Sequence, residues 1–253
     1  MVRLNPLYQD SPANRNGLNE WKRVLIEKFE KKMTNRGNPF PCIPATIGFS
    51  TNQLRYGFVG DPRKEATVRE LADILRDYTE SSHAFGDYTS LIVFYQLPDD
   101  IKKTYSVEDY EQLFWQQLSQ IAAKDELPWP EDIPVEAHHP IWEYCFHSER
   151  YFMYCATPAH KHRQSRHFDT MMLAITPRWV LESFNKVESR TEKIKKRIRQ
   201  RITNYDSIEV HPELNSYGKE DNYEWKQYFL RDDDSAAVQC PFHRKNTASS
   251  LYD

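Results

Sequence analysis

Glycine is scarce in this 253-residue chain, with seven in all. No G-x-G-x-x-G run and no G-K-S or G-K-T triplet occurs. That excludes the glycine loops that cradle dinucleotides and nucleoside triphosphates. Cysteine is scarcer still. Cys42, Cys145, Cys155 and Cys240 stand far apart and form no C-x-x-C pair, which argues against a zinc ribbon. A strong charge of one sign is also missing. The net charge is −3, so there is no general case for a nucleic-acid partner. No apolar run approaches the roughly 18 residues that mark a membrane-spanning helix, and the N-terminus lacks the apolar core of a signal peptide. The expectation is a soluble protein of the reducing cytoplasm, with no membrane and no nucleic-acid partner.

Aromatic residues, in contrast, are abundant at 13%, with 15 Tyr, 13 Phe and 6 Trp. Such a chain can line a large flat pocket, although aromatic cores are the commoner use. The length suits one large domain. Residues 1–17 are polar and read as a flexible arm, 18–243 as a single domain, and 244–253 as a flexible tail. Residues 18–33 predict an amphipathic helix on Trp21, Val24, Leu25, Phe29 and Met33. Three prolines at 39, 41 and 44 predict an extended segment. Residues 43–49 and 54–59 then read as two strands. A second helix covers 67–79, and a buried strand covers 89–97. A third helix spans 107–123, opened by Ser106 with Asp109 three residues on. Residues 171–175 predict a further strand, and 178–204 one long helix or two. From 205 the chain reads as irregular. Lys193, Lys195, Lys196, Arg197, Arg199 and Arg201 surround a stripe of Val187, Ile194, Ile198 and Ile202. That basic run is read as a solvated helix face. Helices and strands mix without regular alternation, so the fold class is α+β: a mixed or antiparallel sheet flanked by helices.

The densest chemistry lies between His138 and Phe168, which holds six of the nine histidines. Residues 142–148 and 150–156 predict a hairpin. The second strand ends at Thr157-Pro158, since the residue before proline is driven to an extended conformation. A polar loop follows with His160, His162 and His167 among Lys161, Arg163 and Arg166. A rigid hairpin that delivers a histidine loop is one way to build a metal or cofactor site. The alternative is a solvated basic loop. His138 and His139 precede Pro140 and read as structural, as does the core-facing Cys155.

Four landmarks in the same order resemble the YqcI/YcgG family. They are Phe40-Pro41-Cys42 followed by Gly57-Phe58-Val59; the aromatic strands ending at Thr157-Pro158 with Arg163-x-x-Arg166-His167-Phe168; Phe184-Asn185 before Ile198-Arg199-x-Arg201; and Pro212-x-Leu214-x-x-Tyr217-Gly218 followed by Cys240-Pro241-Phe242. The chain departs from many members at Thr157 and His167, where they carry His and Arg. That variation resembles a branch found in natural-product pathways, of the guanitoxin-pathway type. The resemblance implies a haem-dependent oxygenase that hydroxylates a guanidino nitrogen of arginine or an arginine-like amino acid.

Several site expectations follow from that resemblance. A haem needs an axial donor, an apolar slot and cations for its propionates. His160, the best-fixed histidine of the loop, is the expected iron ligand, with His162 and Cys42 as alternatives and His138, His139 or His211 as more remote ones. Arg163 and Arg166 are the expected propionate partners, and His167 a propionate or structural group. Glu143, Glu149 and Asp169 are candidates for meeting a substrate guanidinium. The haem is expected to be haem b, held non-covalently because no C-x-x-C-H occurs. Molecular oxygen or peroxide is the expected oxidant, and electrons come from an external reductase. Two alternatives stand beside this reading: a non-haem iron oxygenase with a facial triad, and a non-catalytic haem carrier or sensor.

Overall fold

A computed structural model describes residues 7–185, 188–215 and 222–244. In chain order the elements are α1 (Pro12–Arg15), α2 (Glu20–Thr34), α3 (Ile43–Ser50), β1 (Arg55–Val59), α4 (Glu65–Ser81), β2 (Leu91–Tyr95), α5 (Asp99–Thr104), α6 (Val107–Ala122), β3 (Tyr144–Phe146), β4 (Glu149–Ala156), β5 (Met172–Pro177), α7 (Arg178–Asn185), α8 (Glu188–Tyr205) and α9 (Trp225–Tyr228). The strands form one sheet in the order β1-β2-β5-β4-β3. β1 and β2 run parallel and the remaining pairs are antiparallel. The class is α+β with a mixed sheet, as the irregular mixing of helices and strands along the sequence predicts. No described helix is long and apolar enough to cross a membrane.

Alternate residues of a strand point to opposite faces, and the two faces of this sheet have different fates. Leu91, Val93 and Tyr95 of β2, Leu173 and Ile175 of β5, and Tyr151, Met153 and Cys155 of β4 join one core with α4 and α6. α4 contributes Val68, Leu71, Leu75 and Tyr78 at helical spacing, all buried. Full burial of each such side chain stabilises the fold by roughly 2 kcal/mol. α6 starts with a capping box between Ser106 and Asp109, as the sequence predicts. On the opposite face, Ile92, Phe94 and Met172 pack with Ile26, Phe29 and Met33 of α2. This second layer is incomplete, and the gap in it is the cavity described below.

The β3–β4 hairpin forms, with Phe146 opposite Glu149. It is tighter than residues 142–148 and 150–156 suggest, because Trp142 and Glu143 precede the strand. His147 and Ser148 make the turn at positive φ, 53° and 60°, a conformation non-glycine residues adopt at some cost. Asp125 accepts the His147 N–H at 2.8 Å and holds the turn.

One element differs in kind from the expectation. Residues 43–49 form helix α3 rather than a strand. Pro44 lies in the helix's first turn, where its missing N–H has no intrahelical partner to lose. α3 packs close because Gly48 has no side chain: a Cβ there would meet the Tyr88 carbonyl oxygen at 2.2 Å. Residues 178–204 form two helices, α7 and α8, and the segment after 205 includes the short helix α9. In the N-terminal arm, Tyr8 exchanges backbone hydrogen bonds of 2.9 Å with Tyr56, and Arg15 pairs with Asp10 and Glu30. Val187, Tyr217-Gly218 and all of the tail beyond Arg244 lie outside the described residues.

Candidate functional site

The histidine loop is bound into the protein itself. Thr157 and His167 form a backbone bridge at its two ends. His160 is buried. Its Nε2 lies 2.9 Å from the Leu230 carbonyl oxygen and its Nδ1 2.9 Å from the Thr157 hydroxyl. A carbonyl only accepts, so Nε2 carries the hydrogen and Nδ1 accepts from Thr157. Burial pushes the imidazole pKa down to about 4. Both nitrogens are therefore engaged within the chain.

The loop's other groups are similarly committed. Asp232 accepts the backbone N–H groups of Lys161, His162 and Arg163. Arg163 donates to the carbonyls of Arg231, Glu209 and Asp233 and to the Asp234 carboxylate. Arg166 donates to the Tyr228 and Gln227 carbonyls at 3.0 and 2.9 Å, and its guanidinium lies over the Tyr154 ring. His167 Nδ1 is 2.9 Å from the His160 carbonyl, and the His162 side chain is exposed. The loop clamps residues 230–234 to the end of β4. His211 also has both ring nitrogens bonded, to Ser235 and Glu213, while His138 and His139 are exposed.

The large cavity lies elsewhere, between the incomplete face of the sheet and the helices over it. Its volume is about 700 Å³, within the range of small-molecule and cofactor sites. Ser90 just before β2 and Ile92 of β2, Met172, Ala174 and Thr176 of β5, and Phe152 and Tyr154 of β4 form its floor. Phe29 and Met33 of α2 and Phe40 form one wall; Leu181 and Phe184 of α7 and Lys195 and Ile198 of α8 form another. Among the described residues no histidine lines it. No group of three His, Cys, Asp or Glu among them converges as a metal site either.

Two polar features border this apolar space. The first is Cys42, an accessible thiol on the cavity wall at the N-cap of α3. Burial raises its pKa, and the Ala45 backbone N–H and the cations Arg166 and Arg201 act against that rise. A helix N-terminus favours a thiolate in the same sense. Cys145 and Cys155 are buried, and burial pushes both thiols up. The second feature is a buried ion cluster. Arg178, at the start of α7, donates its Nε–H to Glu143 at 2.5 Å and pairs through its other end with Glu224. Arg178 and Glu224 line the cavity. The Tyr228 hydroxyl lies 3.1 Å from Glu224. Burial is the largest influence on Glu224, and its carboxyl is pushed up to about 7 despite Arg178.

The three predicted carboxylates do not converge. Glu143 lies behind Arg178, with its second oxygen 3.9 Å from Arg150. Glu149 accepts the Arg150 N–H on β4. Asp169 pairs with Lys28 on a separate, shallower groove. Arg178, Glu224 and Gln227 escape notice in the sequence because they come from distant segments of ordinary composition. Phe40, Cys42, Phe184, Asn185 and Ile198, in contrast, belong to the sequence landmarks, and all five border the cavity.

A model of the YqcI/YcgG family matches residues 29–243. Two Bacillus subtilis (strain 168) proteins, YcgG and YqcI, are 44% and 46% identical to the chain over 225 and 222 residues. These alignments cover 89% of this chain and 89% of YcgG, and 88% of this chain and 87% of YqcI. A third relative, from Streptomyces lavendulae, is named putative N(omega)-hydroxy-L-arginine synthase DcsA. It is 32% identical over 232 residues, covering 89% of this chain and 85% of the relative. No solved structure matches.

Proposed function

Since this chain belongs to the YqcI/YcgG family, we propose that it is an N-hydroxylase of arginine or an arginine-like amino acid, and that it works with a haem held in the large cavity. The observation that carries the reading is the cavity's chemistry. It is an apolar slot of about 700 Å³ with a lone thiol on one wall and a buried carboxylate on another. The similarity to the protein named as a hydroxyarginine synthase supports the substrate class.

The residues present suit a haem better than a non-haem iron. A porphyrin supplies four nitrogens, so the protein needs one axial donor, whereas a facial triad needs three protein ligands. Among the wall residues that could bind iron, Cys42 is the thiol, and it sits at a helix N-terminus. His160 could act only by giving up a buried hydrogen bond, and it does not line the space. Cys42 would therefore hold the haem iron, Lys195 of α8 would meet a propionate, and Phe40, Phe152 and Phe184 would line the apolar slot. When bound, a thiolate-held haem would supply oxygen activation.

The chain's own residues carry the rest. The aromatic walls exclude water, and Glu224 and Arg178 place a polar edge where a charged substrate can be oriented. With dioxygen, one oxygen atom enters the N–H bond and the other leaves as water, which consumes two electrons from an external reductase and two protons from solvent. With peroxide, no reductant is required. A carrier or sensor with two protein ligands on the iron would need Met33, Met172 or Tyr154 of the cavity wall as its second donor.

The test is turnover. Haem-loaded protein is mixed with L-arginine and either a ferredoxin-type reductase system or hydrogen peroxide. The expected product carries one added oxygen on a guanidino nitrogen. Fully loaded protein that makes no such product from any guanidino amino acid, with either oxidant, would contradict the reading.

A further inference from the structure

We propose that Glu224 is the counter-ion for the substrate's guanidinium, held ready by Arg178; this rests on the guanidino substrate class proposed above. Arg178 is one guanidinium shared by two carboxylates, Glu143 and Glu224, and all three side chains are almost fully buried. Among the described residues the further cation paired with this group is Arg150 on β4, 3.9 Å from Glu143. Arg150 also pairs with Glu182 of α7 at 3.2 Å, and Glu182 lines the cavity too. Among the described residues the group thus holds three carboxylates and two guanidiniums, one negative charge in excess. Lys195, the cation on the α8 wall, pairs with Glu192 of its own helix at 3.2 Å.

An uncompensated charge beside an apolar cavity is costly. Glu224 relieves that cost by holding its proton more tightly than an ordinary carboxyl. The charged and titratable groups found against it among the described residues each act in a known direction. Arg178 favours the ionised form, Glu143 opposes it, and the Tyr228 hydroxyl donates to it. Glu143 faces away from the cavity, behind Arg178, so Glu224 is the cluster's buried carboxylate that a ligand can reach. A cationic guanidinium entering the cavity supplies the missing charge. A neutral urea of the same shape does not, and leaves the carboxylate unpaired, which is how a polar site rejects an isostere. Binding the cation must then drive Glu224 to its ionised form and release the proton it carries.

The experiment is calorimetric titration of the purified protein with L-arginine and with L-citrulline, its neutral isostere. Buffers of different ionisation enthalpy report the protons exchanged. Arginine is expected to bind with release of a fraction of a proton near neutral pH, and roughly tenfold more weakly at about pH 6 than at about pH 8. Citrulline is expected to bind at least about tenfold more weakly than arginine at the higher pH, without proton release. Glu224→Gln should remove both the proton release and the preference. The wild-type measurements test the proposal even if that variant does not fold. Equal binding of both ligands, or arginine binding with no proton exchange across this range, would overturn the role of Glu224 while leaving the guanidino reading intact. Failure of arginine and every related guanidino acid to bind would overturn both.

Discussion

Protonating His160 in the folded protein turns Nδ1 from an acceptor into a donor and places a charge in a buried site. The unfolded chain has no such penalty and takes up the proton near pH 6.5. The folded state resists until about pH 4. Between these values the unfolded state binds more protons, so this residue's stabilising contribution is fully present above about pH 6.5 and declines toward pH 4. The loss is on the order of 3 kcal/mol across that window. Urea unfolding at a series of pH values should show it, and His160→Asn should flatten the slope. An unchanged slope in the variant would refute this account of the residue. Arg178 makes a second case. Arg178→Met leaves Glu143 and Glu224 buried without their shared cation and should cost about 3–5 kcal/mol in the same assay. A smaller loss is expected at low pH, where the carboxyls are neutral.

Helix α3 is the element on which the site depends, since it sets Cys42 at its N-terminus. Gly48→Ala drives a methyl group into the Tyr88 carbonyl. Backbone cannot yield as a side-chain end can, so the variant should lose about 2 kcal/mol or more of stability and bind less haem. Normal stability and normal haem content would show that α3 tolerates displacement. This element was also the least legible in the sequence. Ile43, Thr46, Ile47 and Phe49 are strand formers, and the nearby prolines suggest extended chain. The helix prevails because Pro44 falls in its first turn and Gly48 allows close packing. α4 and α6 were legible because their apolar residues recur at helical spacing, and Ser106 marks the start of α6. The hairpin was legible through its aromatic run, although its turn uses His147 and Ser148 without any glycine.

At the scale of the molecule, one sheet face is closed by α4 and α6 and the other is left partly open beneath α2, α3, α7 and α8. That asymmetry could not be read from periodicity, which reports that a face is apolar but not whether a helix fills it. The histidine loop drew attention through its composition, yet its groups clamp residues 230–234. The cavity draws on segments spread from Phe29 to Gln227. α8 bears on the same point. Ile194, Ile198 and Ile202 are half-buried, and Ile198 faces the cavity, while most of its cations are exposed. A duplex-binding assay near physiological salt should therefore find at most weak, salt-sensitive association; tight, sequence-selective binding would show that these cations do more than solvate a cavity wall. The central claim is that Cys42 presents a thiolate to a haem in this cavity. The most direct measurement is the ferrous carbon monoxide spectrum of haem-loaded wild type, Cys42→Ala and His160→Ala. The account predicts the red-shifted Soret band of thiolate ligation in wild type and in any folded His160→Ala, and its loss in Cys42→Ala. A histidine-type band in wild type that survives in Cys42→Ala and vanishes in His160→Ala would contradict it.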